Sequence, residues 1–405
     1  MRFSELLFLA VLASIPIQLN KFFFPSFSFV LGIPIDYLAL TIYFTDILIV
    51  LLIIAIAIRP PKNFYKVFKN KKGLLYSLAA FNIYLFINAY FFSQNREVSL
   101  IFSLKILEFS LFCAVATYFL SQKEVFKKSQ KVIAFTVIWQ SVLAISQFLL
   151  QRSLGLHLLG ERSFDVSTTS IAHTQIFGSQ FLRSYGTFPH PNVLGAYLLI
   201  SLIVLNTNKK SKQSWFNTQN ITSSIALIMT FSKTALLMAM VAVISLKARV
   251  KILFLALILL ITFAYFYLAY LNQSYLDSIA ERIVLASTAL KITQGNFLFG
   301  VGSNNFILAI SKYNLTSISQ VRLLQPVHNV FLLILAQNGI FGLILFSLFF
   351  FKVSSHVNTK LKSVAFLVIL VYFSLDHFLW TLQQGQLLLF LTVAYILSSQ
   401  KEALT

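Results

Sequence analysis

The residues best suited to chemistry stand in one short stretch, Gln325-Pro326-Val327-His328-Asn329. Pro326 cannot continue a helix from upstream, and Asn329 is a favourable N-cap. The apolar segment that follows is long enough to cross a bilayer. We therefore predict that His328 lies at the mouth of a membrane helix, where an imidazole can accept or donate a proton near neutral pH. The alternative interpretation is a histidine that only caps the helix at the level of the lipid headgroups.

The composition indicates that the chain lies in a lipid bilayer. Hydrophobic residues make up 58% of the 405 residues and charged residues only 11%. No soluble domain can bury so much apolar surface, so we predict an integral membrane protein. The formal net charge is +20, but the basic residues stand in short loops between apolar segments. This distribution is typical of cytoplasmic loops and argues against nucleic acid as a partner.

Apolar runs recur along the chain and predict about twelve transmembrane helices. The basic clusters between them set the orientation, because cytoplasmic loops are enriched in Lys and Arg. They place both termini in the cytoplasm and two long polar segments, 151–190 and 271–328, outside. The predicted helices are 4–20, 37–58, 73–92, 98–120, 132–150, 193–205, two within 217–246, 252–270, 329–351, 363–375 and 380–397.

The run 217–246 is ambiguous by itself, since it reads as one long helix or two short ones. Basic clusters flank it on both sides, so both of its ends belong in the cytoplasm. The run must then cross outward and return, with its turn near Lys233. We expect an all-α fold in three parts: five helices in 1–150, a functional core in 151–351, and a hairpin with a cytoplasmic tail in 352–405.

This topology brings two distant residues to the same face of the membrane. Arg183 and His328 each stand just before a helix that runs inward from the external side. Helix N-termini carry unpaired N–H groups and the positive end of the helix dipole, and both favour anions. Two such termini with arginines nearby predict a site for a phosphate-bearing group at the outer leaflet.

Two external arginines are candidates to bind that group. Arg183 opens a turn rich in Gly and Pro, and its planar guanidinium can bind two phosphate oxygens at once. Arg282 lies in 279–291, where the helical spacing of apolar residues predicts an amphipathic helix on the membrane surface. Simpler interpretations are a snorkelling arginine at the first position and an ion pair with Asp277 or Glu281 at the second.

Charged residues elsewhere could also contribute. Lys105 and Glu108 share a helix face inside the membrane and are expected to neutralise each other, whereas Asp46 has no evident partner. Asp376-His377 lies near the external end of a predicted helix and could face the same site as His328. External carboxylates are few and unclustered, so we expect no catalytic metal.

Five motifs in sequence order resemble those of one known family. They are Arg183-x-x-Gly186-Thr187-Phe188-x-x-Pro191-Asn192, Thr230-Phe231-Ser232-Lys233, Glu281-Arg282…Ala289-Leu290, Phe299-Gly300-Val301-Gly302-x-x-Asn305-Phe306 and His328-Asn329…Gly339-x-x-Gly342. Together they resemble the O-antigen ligase and O-antigen polymerase superfamily of bacterial envelope glycosyltransferases, over about residues 180–350. Taken alone, the glycines of 299–306 match neither a dinucleotide motif nor a P-loop and predict a tight turn.

The resemblance implies a metal-independent, inverting glycosyltransferase with a GT-C-like fold and no cofactor. Its donor would be a glycan on undecaprenyl pyrophosphate, and its acceptor a sugar hydroxyl of a glycan or glycolipid. It would act in the inner (cytoplasmic) membrane, at the outer face. Arg183 and Arg282 would hold the pyrophosphate, and His328 would act on the acceptor hydroxyl. Further possible site residues are His190, Asn192, Asn329 and Lys233, the last at a position where the family usually has Arg.

Two other functions remain open from the sequence. A polymerase of lipid-linked repeat units would use the same donor and differ only in its acceptor. A transporter or flippase of lipid-linked saccharides would belong to a different class of protein. Transporters commonly show internal repeats and broken helices that meet at the membrane midplane. We find no such repeat, and the polar residues gather in the two external segments, so we favour the enzyme.

Overall fold

The computed structural model describes residues 3–169, 171–207, 218–247, 277–314 and 323–399. Helices make up most of this part of the chain, which confirms the main feature of the predicted class. The α-helices are α1 (Phe3–Ser14), α2 (Phe44–Ile58), α3 (Lys72–Phe91), α4 (Arg96–Ser121), α5 (Lys123–Leu150), α6 (Pro191–Leu205), α7 (Thr218–Met229), α8 (Lys233–Lys247), α9 (Asp277–Gly295), α10 (Phe306–Asn314), α11 (Val330–Ser354), α12 (Lys360–Leu375), α13 (Phe378–Thr381) and α14 (Gln383–Leu397).

Four helical segments in the described ranges are long and apolar enough to cross a membrane. They are Tyr65–Phe91, which joins a 3₁₀ turn to α3, together with α4, α5 and α11. Shorter apolar helices accompany them, including α1, α2, α6 and α14. A helix of about 20 residues spans the hydrocarbon core unaided, so the shorter ones reach across only with the loops at their ends. The total of twelve spans stays a prediction, and its member at 252–270 lies outside the described residues.

The run 217–246 is divided, as predicted, into two helices. Its first helix, α7, ends at Met229, and α8 begins at Lys233. Between them Phe231 adopts a left-handed backbone with φ of 45°. The Ser232 hydroxyl then accepts a hydrogen bond from the backbone N–H of Ala235 at 3.3 Å and caps the second helix.

Three two-stranded antiparallel hairpins add to the helical fold, and the sequence did not predict them. β1 (Asn20–Phe23) pairs with β4 (Leu40–Tyr43), and β2 (Phe29–Val30) pairs with β3 (Ile33–Pro34) between them. The third hairpin, β5 (His173–Ile176) with β6 (Ser179–Leu182), lies in the predicted external segment 151–190.

The first two hairpins correct the predicted bounds of the first two helices. α1 stops at Ser14 rather than residue 20, and α2 starts at Phe44 rather than residue 37. Prolines recur between them, and each one breaks a helix. The start of α2 is fixed by Asp46, whose carboxylate accepts the backbone N–H of Tyr43 at 2.9 Å.

Helix α11, which follows His328, is interrupted at Gly339, where φ is 65° and ψ is −170°. A loop from 297–302 enters the gap: the N–H of Ile340 donates to the carbonyl of Phe297 at 2.9 Å, and that of Gly302 donates to Gln337 at 2.7 Å. A Cβ on Gly339 would lie 2.2 Å from the Leu298 carbonyl oxygen. The predicted tight turn is therefore present, and its backbone forms hydrogen bonds with α11 where that helix is interrupted.

Candidate active site

A cavity of about 580 Å³ opens where the loops after α1, α5 and α12 meet the starts of α6, α11 and α14. Residues from both ends of the chain and from its middle line this cavity. Polar and charged side chains dominate the part near α6 and α11: Gln18, Asp36, Tyr37, Arg162, His190, Asn192, Asn304, Gln325, His328, Asp376 and His377.

His328 lines this cavity immediately before α11. The next residue fixes it: the Asn329 side chain accepts the backbone N–H of Leu332 at 2.9 Å and donates to the Ser374 carbonyl at 3.2 Å. This confirms Asn329 as the N-cap. Asn329 itself is buried and does not line the cavity. The Nδ1 atom of His328 is buried and has no hydrogen-bond partner among the described residues.

Asp376 and His377 join His328 in one cluster, as the sequence had suggested. The rings of His328 and His377 lie 4.9 Å apart, centroid to centroid, at 71°. Asp376 and His377 are each 5% exposed, whereas His328 is partly exposed. His377 Nδ1 and the Thr381 hydroxyl are 2.7 Å apart, which fixes the plane of that ring. The cluster therefore combines two imidazoles and a carboxylate at the mouths of two helices.

The protonation states in the cluster follow from its burial and its charges. Burial, helped by the neighbouring His377, lowers the pKa of His328 to about 3. Burial would raise the pKa of the Asp376 carboxyl, but His328, His377 and Arg282 outweigh it and hold that pKa at about 2. At neutral pH the imidazole is therefore neutral and the carboxylate ionised. Neutral His328 can accept a proton, and the Asp376 carboxylate partly offsets the burial that disfavours the imidazolium.

Arg183 lies behind the cavity wall and is held in a fixed position. Its Nε donates to the Thr230 carbonyl at 2.7 Å, and its Nη2 donates to Asn192 Oδ1 at 3.0 Å. Thr230 belongs to the turn between α7 and α8, so the predicted turn does meet the Arg183 loop. Asn192 in turn donates to Asp376 Oδ2 at 2.9 Å. Arg183 is thus connected to the cluster through one amide.

Arg282 reaches the cluster from α9. Its Nη1 donates to the carbonyl of Leu375, the residue before Asp376, at 3.3 Å. Its charge also acts on the pKa of Asp376 and of His328. Neither predicted arginine lines the cavity, but both direct positive charge at its cluster. The predicted helix around Arg282 is present, with Leu285, Ala286, Ala289 and Ile292 buried against the bundle.

The two remaining predicted site residues differ in their placement. His190 lines the cavity and caps α6, since its Nδ1 accepts the backbone N–H of Asn192 at 3.1 Å. Burial and the charge of Arg183 lower the pKa of His190 to about 4. Lys233 is exposed at the start of α8 and is not among the residues that line the cavity. The structure therefore gives Lys233 no place at the site.

Several lining residues were missed by the sequence interpretation. The β1–β4 region contributes Gln18, Asn20, Phe22, Asp36, Tyr37, Ala39, Thr41 and Tyr43. Arg162 also lines the cavity. Its neighbour Glu161 fixes the loop, because the buried carboxylate accepts from Gln147 Nε2 at 2.8 Å and from the N–H of Leu156 at 2.6 Å. The sequence signal for Arg162 was its position next to Glu161 in the predicted external segment 151–190.

The cluster also contains ligand atoms that metals use. His328, Asp376 and His377 offer ligand atoms within 4.8 Å of one another, the one such group found in the described ranges. Zinc bound to two imidazoles at 2.0–2.1 Å would require donor atoms about 3.4 Å apart. The expectation of a metal-free site therefore stays a prediction that chelation can test directly.

The apolar helices and the polar cavity at their ends define a helical integral membrane protein. Residues 220–347 match the family model described as O-antigen ligase. This match supports the family predicted from the motifs over that segment, which makes up 128 of the 405 residues. It includes Arg282, His328 and the break at Gly339, whereas Arg183 precedes it. Among curated proteins no relative matches the chain.

Proposed function

We propose that this protein is an inverting, metal-independent membrane glycosyltransferase. It moves a glycan from undecaprenyl pyrophosphate to a sugar hydroxyl of a glycan or glycolipid acceptor at the outer face of the cytoplasmic membrane. The observation that carries the proposal is the geometry of His328. Its Nδ1 has no hydrogen-bond partner among the described residues, and it lies in the same cluster as the Asp376 carboxylate.

The reaction needs a base, because a sugar hydroxyl is a poor nucleophile. Neutral His328 takes the hydroxyl proton while the hydroxyl oxygen forms a bond to the anomeric carbon of the donor. The bond from that carbon to the pyrophosphate oxygen breaks, and its electron pair leaves with the pyrophosphate. Direct displacement inverts the anomeric centre. Asp376 stabilises the imidazolium that forms.

The leaving group carries negative charge, which the site must balance. Arg183 and Arg282 supply positive charge from two sides, and Arg162 reaches the cavity itself. Guanidinium groups and the N-termini of α6 and α11 stabilise a phosphate oxyanion without a general acid. We therefore assign Arg183 and Arg282 to stabilising the pyrophosphate charge from outside the cavity lining, and Arg162, which lines the cavity, to contacting it.

The distribution of basic residues supports an external cavity. Arg59 follows α2, Lys123 begins α5, and Lys352 lies in the last turn of α11. Cavity-lining residues lie just before α2 and α11 at their other ends, and the loop that follows α5 reaches the cavity. Because cytoplasmic ends carry the excess of Lys and Arg, the cavity belongs on the opposite face. Both termini are then cytoplasmic.

The two alternative functions make different demands on this site. A polymerase of lipid-linked repeat units uses the same chemistry and requires room for a second lipid-linked chain. Transporters of such cargo commonly have a broken helix that offers free backbone groups to it. The break in α11 does not do so, because the 297–302 loop pairs with it. We therefore favour transfer over transport.

The deciding experiment incubates the purified protein in detergent with an undecaprenyl-pyrophosphate-linked glycan and a glycan acceptor. Transfer that continues in EDTA is the expected result. Transfer abolished by EDTA and restored by zinc would instead make His328, Asp376 and His377 metal ligands. No transfer to any acceptor, together with movement of the donor across proteoliposomes, would identify a flippase.

A further inference from the structure

The cavity extends past the His328 cluster into a second polar region, which we call the inner pocket. Lys105 lies nine residues after the start of α4 and thus roughly 14 Å along that helix from its cavity end. Polar and aromatic side chains surround it there. The inner pocket consists of Thr41, Tyr43, Phe102, Lys105, Gln383, Gln384 and Gln386.

Two carboxyl groups pair with the Lys105 ammonium at the inner pocket and offset its positive charge. The ammonium pairs with Asp46 at 2.5 Å and with Glu108 at 3.3 Å. The predicted pairing with Glu108 is thus confirmed, whereas Asp46, expected to lack a partner, has one. An ammonium that is already paired in this way offers little net charge to a further anion. The inner pocket therefore suits an uncharged polar ligand better than pyrophosphate.

The three glutamines at the start of α14 supply the hydrogen-bonding groups. Gln383 donates to the Thr45 hydroxyl at 3.0 Å, and Gln386 donates to the Trp380 carbonyl at 2.7 Å. Gln384 differs: it is 2% exposed, it lines the cavity, and its Oε1 has no hydrogen-bond partner among the described residues. A buried acceptor without a donor is costly, so a polar ligand in the cavity that Gln384 lines would relieve this cost by donating to it.

We propose that the inner pocket binds an uncharged sugar ring of one of the two glycan substrates. A sugar hydroxyl or an N-acetyl N–H donates to Gln384 Oε1, and another hydroxyl accepts from the Lys105 ammonium. The rings of Tyr43 and Phe102 contact the apolar face of the sugar. This proposal rests on the proposed transfer reaction, in which the inner pocket would position the sugar beside His328.

The test compares Gln384→Met, which keeps the volume and removes the acceptor, with Gln384→Glu, which keeps an acceptor. Gln130→Met is the matched control, since Gln130 binds the Val204 carbonyl at the far end of α5. Loss of one neutral hydrogen bond weakens binding by about 3- to 10-fold. We expect Gln384→Met to raise KM for one substrate by that factor, with kcat nearly unchanged. A rise confined to the donor assigns its first sugar, and a rise confined to the acceptor assigns the acceptor sugar.

A second measurement needs no turnover and therefore separates this proposal from the proposed function. Ligand-observed NMR follows the binding of glucose, galactose and N-acetylglucosamine to the purified protein. Saturable binding of one sugar, weakened in Gln384→Met and kept in His328→Ala, supports the inner pocket even where transfer fails. Absence of saturable binding, or equal binding by Gln384→Met, overturns it. A fall in kcat alone, with both KM values unchanged, also overturns it.

Discussion

Asn192 donates its side-chain N–H to Asp376 Oδ2 at 2.9 Å, although 184 residues separate the two in the chain. The same amide accepts from Arg183 through its oxygen. One side chain at the start of α6 therefore connects an arginine of the external loop with the carboxylate beside His328. A change at any of the three residues is expected to affect the other two.

Replacing Asp376 by Asn should slow transfer without unfolding the protein. The amide keeps the shape of the carboxylate but cannot stabilise an imidazolium on His328. We expect kcat to fall at least about tenfold. The fall should be smaller than the factor of about 10²–10⁴ that is typical of losing the general base itself. Donor affinity should stay nearly unchanged. An unaltered kcat would show that His328 works without the carboxylate.

His328 itself is tested by comparing two substitutions. His328→Ala should lower the rate by a factor of about 10²–10⁴ and leave donor binding close to normal. A histidine that only caps the helix predicts a different outcome, because His328→Asn would then keep most activity. Near-normal transfer by the Asn variant would leave the base to be sought elsewhere in the cluster.

The pH profile provides an independent check on the same residue. Catalysis needs the neutral imidazole, so activity falls as pH drops through the pKa of His328. Since burial lowers that pKa to about 3, the rate should stay level from neutral pH down to about pH 5. Rates measured on a donor whose pyrophosphate stays ionised give this profile. A midpoint near the ordinary histidine value of about 6.5 would indicate a solvated imidazole instead.

Arg183 is expected to need its planar guanidinium as well as its positive charge. Its Nε and Nη2 already bind Thr230 and Asn192, so Lys cannot supply the same pair of bonds. Arg183→Lys is therefore expected to fail nearly as badly as Arg183→Ala in donor binding and rate. The exposed Lys233→Ala serves as the control and should transfer normally. Full activity in Arg183→Lys would mean that charge alone is required.

Cysteine labelling tests which face of the membrane carries the cavity. The one native cysteine, Cys113, is buried, so a cysteine introduced at the exposed Ser167 reports alone. An impermeant reagent should label Ser167→Cys from outside intact cells. Ser317→Cys, in the predicted external segment 271–328, should react in the same way. Labelling only after lysis would reverse the proposed orientation.

The positions of the basic clusters between the helices were enough to predict that the site residues lie together. The basic clusters fix the direction of each helix, and this was sufficient to put Arg183, His328 and Asp376 at one end of the bundle. The break near Lys233 followed from the same reasoning. The pairing of Lys105 with Glu108 followed from helical spacing, because residues three apart share a face.

Other features depend on contacts between distant segments, which a single sequence does not show. Asp46 looked unpartnered because Lys105 and Gln383 approach it from helices far along the chain. The sequence predicted one helix over 329–351, whereas that helix is interrupted at Gly339, which accommodates the backbone of Leu298. The role of 15–43 as a cavity wall was hidden because its apolar residues merged with the neighbouring helices.

The cavity takes its walls from Gln18 through Gln386, and this span has a consequence for how the protein is made. Chains emerge from the ribosome with the N-terminal part first. The histidine at position 328 is therefore inserted before its carboxylate partner and before the glutamines of α14. A nascent chain that stops before these residues contains His328 and the site arginines but lacks the Asp376 carboxylate. In the proposed reaction, catalytic competence would arrive only when the final hairpin enters the bilayer, so incomplete chains would not consume the donor.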